Sequence, residues 1–257
     1  KMEEGGAQHP HAFLDIDIDE NREAYARAAA FVEATDLRYG FSSKDITELG
    51  GRELQTVEDF YQNDFDWCNK GRIQTQPQPY CRIILKLYPD AAPLAVENFL
   101  ALCSGEKGTA KGSGVPLHYK GCNFHRIVPG FVAQGGDFVF GNGSGGESIW
   151  GKKFKDEKGG LKLRHDKPGV LSMGNSGKNS NGSQFFLTFT SLPQLDGKHV
   201  VFGEMVSGHE VLALMETKGS ASGEPAARVA VTECGRWDPA GGLPAQGHWA
   251  PDGTVGR

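Results

Sequence analysis

Three runs of this 257-residue chain hold residue types from which a site is built. Residues 124–138 read FHRIVPGFVAQGGDF, residues 172–189 read SMGNSGKNSNGSQFFLTF, and residues 195–205 read LDGKHVVFGEM. In the first run Arg126 sits among apolar and amide side chains, and the second run adds further amides and aromatics. Neither a nucleophile–base pair nor a metal-ligand cluster occurs in these runs. A guanidinium stays protonated at any working pH, so the set suits apolar recognition and electrostatic stabilisation rather than covalent attack. Other tempting motifs fail. GNGSGGE (141–147) lacks the Gly-Lys-Ser/Thr ending of a phosphate loop and reads as a mobile rim loop. The eight histidines are scattered without paired metal spacing, so no metal site is expected.

These runs need a scaffold, and the flanking sequence supplies it. Residues 12–18, AFLDIDI, alternate apolar and acidic with period two, which predicts a half-buried strand. Residues 80–88, YCRIILKLY, predict a second strand, and 93–103, PLAVENFLALC, an amphipathic helix with proline in its first turn. Residues 107–121 are a Gly- and Lys-rich loop. Short apolar runs separated by Gly, Asn and Pro follow, the rhythm of an antiparallel barrel. HEVLALMET (209–217) predicts a last helix and VAVTECG (229–235) a last strand. The lysines of 152–167 read as a solvated basic patch.

The three runs closely resemble the cyclophilins, the peptidyl-prolyl cis–trans isomerases. HPHAFLDIDID is similar to the first family strand, and CRIILKLYPDAAPLAVENF to the second strand and the helix after it. The resemblance covers residues 11–18 and 80–235 and implies a mainly β fold: a closed eight-stranded antiparallel barrel capped by two helices. Residues 19–79 then read as an acidic, largely helical insertion in the first hairpin, with 12 acidic against 7 basic residues. Tyr25, Ala28, Ala29 and Val32 recur at helical spacing and predict a helix from about Glu20 to Thr35, with Gly40 in its stop region. Leu54, Val57 and Tyr61 predict a second, with Thr56 and Asp59 as a weak capping box. So small a piece buries little by itself, so Phe60, Phe65 and Trp67 are expected to pack on the barrel. Residues 76–79, QPQP, read as an extended re-entry, and 236–257 as a Gly/Pro-rich extended tail.

The resemblance also implies roles. Arg126 matches the catalytic arginine; Phe131, Phe186 and Leu195 match the proline pocket; Gln134, Asn175 and His199 match its polar rim; and His125 matches as well. An Xaa–Pro bond isomerises slowly because amide resonance resists rotation. At the top of the barrier the prolyl nitrogen has lost its conjugation and accepts a hydrogen bond, so a fixed cation there binds the twisted amide better than either planar isomer. The chain departs from the family at Val132, where methionine is usual, at Gly174 and Ser176, where alanines are usual, and at Gln194, which replaces a common tryptophan. Catalysis should survive these changes, while cyclosporin binding should be weak. The loop 107–121, Glu147, Cys103 and Cys234 resemble the divergent-loop subgroup, in which the two cysteines imply a redox pair.

Composition bounds the remainder. A net charge of −5 argues against a nucleic-acid binder. No apolar run is long enough to span a bilayer. Five cysteines without a C-x-x-C suggest a reducing, cytoplasmic compartment. Proline-containing peptides or proteins are the expected partners, no cofactor is implied, and the partner of the insertion is unknown. Two rival classes are a proline-peptide-binding scaffold, with the insertion recruiting a partner, and a redox-responsive chaperone.

Overall fold

Alternation opens the first strand but does not last through it. In the computed structural model, which describes residues 9–77, 79, 81–241, 248–249 and 255–256, β1 runs His11–Ile18. Ala12 and Leu14 are buried and Phe13 is not, as period two requires, but from Asp15 onward every residue is buried. The acidic positions expected to face water therefore do not. Asp15 is tolerated inside because its register partner across the ladder is Arg82, whose Nε and Nη2 donate to it at 2.6 and 2.8 Å. A buried carboxylate needs such a paired, hydrogen-bonded cation.

The chain divides into two compact units, leaving the first after Ile18 and returning to it at Cys81. The first unit is an eight-stranded antiparallel sheet in the order β3-β4-β6-β5-β7-β2-β1-β8. Its further strands are β2 (Arg82–Leu87), β3 (Arg126–Val128), β4 (Val132–Gly135), β5 (Val170–Met173), β6 (Phe185–Thr188), β7 (Val201–Ser207) and β8 (Val229–Trp237). The two edges are joined by the segment just before β3. Gly121 and Phe124 donate to the carbonyls of Val231 and Val229, and Val231 donates to Cys122. Among the described residues such closure covers the free edge of β8, which would otherwise invite pairing with another chain.

Two helices cover the sheet. α3 (Pro93–Ser104) packs on β1 and β8, and α5 (His209–Thr217) on β2 and β3. Proline opens α3 and Gly105, at φ +67°, closes it with its N–H on Ala101, since glycine reaches the left-handed region at no steric cost. The interior is filled by aliphatic residues around Phe99, Tyr119, Phe124, Phe185 and Phe202. A short helix, α4 (Lys158–Lys162), falls in the segment read as a plain basic patch. Its Gly160 approaches so closely that a Cβ there would stand 2.5 Å from Val200.

The second unit contains α1 (Asn21–Tyr39) and α2 (Gly51–Asn63). α1 runs four residues past the predicted end, to Gly40 at φ +73°. The predicted capping residues of α2 are replaced by Glu53, whose carboxylate accepts from the N–H groups of Gly50 and Ser42. Phe60 and Trp67, expected on the barrel, find apolar partners within this unit. They join Phe31, Tyr39, Phe41 and Tyr61 in an aromatic cluster belonging to this unit, and Phe65 is 94% exposed. Six rings concentrated in two helices and their connections give this small piece a core of its own. Of the C-terminal residues, 236–237 continue β8, and His248–Trp249 (β9) pairs with Val255–Gly256 (β10). Between β8 and β9, Pro239–Gly241 form a 3-10 turn, where an extended chain was expected, and the rest of the tail falls outside the described residues, as does part of the QPQP segment.

Candidate active site

Register alone assembles the site. Arg126 in β3 lies opposite Gln134 in β4, Gln134 opposite Phe186 in β6, and Phe186 opposite Ser172 in β5. Directly opposed residues of antiparallel strands share a face, so these four side chains form one row. Their neighbours Ile127, Ala133, Leu187 and Leu171 point to the other face and are fully buried in the core. The row therefore lies on the outer face of the sheet, with Arg126 and Gln134 part-exposed and Phe186 and Ser172 covered.

Apolar side chains collect beside it. Val132, Phe186 and Leu192 are buried in a separate cluster against which Phe131 and Leu195 pack while half-buried. Leu195 arrives on a single 3-10 turn, Pro193–Leu195. The guanidinium of Arg126 stands 5.5 Å from the centroid of the Phe131 ring. Its stem is confined by the loop after α5, where a Cβ on Gly223 (φ +90°) would come within 3.0 Å of Arg126 Cγ. That loop is fastened to β3 by Ile127 N–H on Gly223 and Ser220 N–H on Ile127. A cation so restrained loses little freedom on meeting a ligand.

The polar rim is tied as closely. Gln134 Nε2 donates to Gln184 Oε1 at 2.8 Å, and Gln184 Nε2 donates at 2.8 Å to the carbonyls of both Gly143 and Gly145. With both its amide ends engaged, Gln184 fixes which way the Gln134 amide points. The loop bearing Gly143 and Gly145 is gathered by the buried Asp137. That carboxylate accepts the N–H groups of Val139, Phe140, Asn142, Gly143 and Gly145. Burial alone would raise the Asp137 pKa, but these hydrogen bonds outweigh it and hold the group below the ordinary carboxylate value. His199 Nδ1 donates to the Met173 carbonyl at 3.0 Å, and its ring meets Phe186 edge-on with centroids 5.3 Å apart.

Beside the row lies a cavity of about 170 Å³, lined by Gln134, Gln184, Gly174, Asn175, Ser176 and Lys153 among others. Asn175 donates to the Lys198 carbonyl at 3.0 Å. Gln194 is exposed on the 3-10 turn. His125 does not join the row. Its ring packs under Gly143, burial lowers its pKa, and its Nδ1 is buried without a hydrogen-bond partner. Two residues were missed from sequence: Gln184, although the run GSQFF displays it, and His165, whose ring stacks on Phe186 at 5.8 Å. The thiols of Cys103 and Cys234 are both buried, and burial first, then the neighbouring Cys234, pushes the Cys103 pKa well up. Glu147 accepts from the N–H groups of Gly112 and Ser113 in the loop 107–121.

The fold is thus an eight-stranded antiparallel sheet that sets a cation, an amide and the edge of an apolar pocket in one row. Residues 72–236 match the family model described as cyclophilin type peptidyl-prolyl cis-trans isomerase/CLD, and the chain belongs to that family. No described helix is long and apolar enough to cross a membrane.

Proposed function

We propose that the chain accelerates rotation about Xaa–Pro bonds with Arg126 as the electrostatic catalyst, Phe131, Val132, Phe186 and Leu195 holding the prolyl ring, and Gln134, Asn175 and His199 orienting the peptide. The row that sets Arg126 beside Gln134 and Phe186 carries this reading. A prolyl ring seated on Phe186 brings its nitrogen toward the guanidinium, whose hydrogen bond gains strength only as the amide twists. That selectivity for the twisted state is what lowers the barrier. Gly174 and Ser176 admit the residue before proline. The decisive measurement is cis–trans exchange of a short Xaa–Pro peptide by NMR. Arg126→Ala should lower kcat/KM at least tenfold, about 1.4 kcal/mol of transition-state stabilisation, without unfolding the protein. Unchanged turnover would remove Arg126 from the mechanism.

A redox role is favoured by the burial of Cys103 and Cys234 as neighbours, with Cys234 close enough to add to the rise in the Cys103 pKa. A peroxide would oxidise the two thiols to one disulfide, losing both protons and yielding two waters from hydrogen peroxide. Because burial keeps Cys103 protonated, the reaction should be slow at neutral pH. Peptide mapping after peroxide treatment should show a Cys103–Cys234 link with a change in exchange rate; an active, unlinked protein rejects the switch.

A further inference from the structure

The row Arg126–Gln134–Phe186–Ser172 continues behind the pocket floor. Ser172 Oγ lies 3.0 Å from Nε2 of His165, a residue with no exposed surface. On its other side, Nδ1 of His165 lies 2.9 Å from Asp196 Oδ1, the same oxygen that accepts the backbone N–H of His165 at 2.9 Å. An ionised carboxylate only accepts, so Nδ1 carries the proton and Nε2 accepts from the Ser172 hydroxyl. The imidazole plane lies 19° from that of Phe186. Leu192 N–H donates to the His165 carbonyl, and Asp196 follows Leu195 directly. His165 thus touches both ends of the turn that carries Leu195, and the floor opposite it.

We propose that His165 is a positioning residue for the isomerase, bridging Asp196 and Ser172 so that segment 192–199 holds Leu195 and His199 at a set distance from Phe186. This rests on the isomerase reading above. Imidazole alone combines a donor for Asp196, an acceptor for Ser172 and a flat ring for Phe186. Burial keeps its pKa below the ordinary imidazole value against the opposing pull of Asp196, in keeping with a neutral ring. His165 has no part in the row that faces the substrate, so its loss should alter ring capture rather than the chemical step. A slackened pocket weakens planar and twisted amides alike, which raises KM and leaves kcat in place.

The full chain, assayed by peptide exchange for kcat and KM and by peptide titration for Kd, tests this with paired variants. His165→Phe keeps a ring and removes both side-chain hydrogen bonds, whereas His165→Asn keeps a donor at the Nδ1 position. His165→Phe should raise KM and Kd about tenfold with kcat within about twofold, and His165→Asn should recover part of the loss. Asp196→Ala should show the same split and add little to His165→Phe, because the two act through one contact. KM and Kd unchanged in folded His165→Phe, or no recovery by His165→Asn, would overturn the proposal. Should His165→Phe fail to fold, Asp196→Ala decides alone, and an unchanged KM overturns it. A wild-type chain that binds peptide without accelerating exchange would refute the isomerase reading, while Kd would still test the bridge.

Discussion

The two units handle buried polar groups in opposite ways. In the barrel, Asp137, two residues after β4, gathers the rim loop, and His165, in the segment before β5, joins Ser172 to the turn bearing Leu195. In the insertion, Asp64 is buried between Arg38 at 2.6 Å, the Tyr39 hydroxyl at 2.8 Å and the Asp66 N–H at 2.8 Å, closing α1 onto the turn after α2. The barrel's ties hold a concave outer site open and in shape. Those of the insertion hold the unit itself together around Phe31. The geometry of the proposed site and the insertion's stability therefore rest on separate sets of residues, and substitutions should separate them.

The largest separation is expected from Phe31→Ala. Phe31 has no exposed surface and meets Tyr39, Phe41, Tyr61 and Trp67 with centroids 5.3 to 6.4 Å apart. Truncating so central a ring costs about 3–5 kcal/mol, which a unit this small can hardly spare. Thermal unfolding of the insertion, followed by amide hydrogen exchange of α1 and α2, should shift sharply downward while catalysis of peptide cis–trans exchange near room temperature persists. Catalysis lost in step with the protection of α1 and α2 would show that the units fold as one.

The same contrast explains what could be read in advance. Arg126, Gln134 and Phe186 were named together by the resemblance to the cyclophilins, and what the sequence could not display is the register that sets them in one row. The insertion's helices were legible from periodicity, but not the destination of Phe60 and Trp67, because no local pattern says which apolar surface a ring will find. Asp15 looked solvent-facing because its partner Arg82 is distant in sequence and adjacent only in the ladder. His165 was invisible for the same reason: its partners Ser172, Phe186 and Asp196 come from three later segments. Gln184 had a visible motif but no visible role until the carbonyls of Gly143 and Gly145 were in place.

A smaller effect is expected from Asp137→Asn, which acts on the site and leaves the insertion alone. An amide replaces one of two oxygens facing five N–H groups, a loss of about 1–3 kcal/mol that should loosen the rim and raise KM. The sign with pH is fixed by the depressed pKa. Asp137 stabilises the fold fully above its unfolded value near 3.8, and that stabilisation is lost as pH falls through the lower folded value. The acid limb of barrel stability should therefore flatten in the variant. An unaltered limb would show that another carboxylate dominates acid unfolding.

The smallest effect should come from the largest change. Deleting 19–79 and joining Ile18 to the return strand through a short turn removes the whole insertion but none of the row. β1 and β2 are paired from His11↔Lys86 to Asp15↔Arg82, and Ile16 N–H bonds the Cys81 carbonyl, so the ladder that the new turn must close already exists. The buried Asp15–Arg82 pair, with the guanidinium 4.1 Å from the Phe13 ring centroid, fastens that end of the hairpin. Insertions at such connections are tolerated, and by the same physics are removable, when the flanking backbone keeps its hydrogen bonds. Peptide exchange by the shortened chain should stay within about threefold of the parent. An insoluble or inactive product would mean that the barrel depends on the insertion, and the division of labour between the units would fall with it.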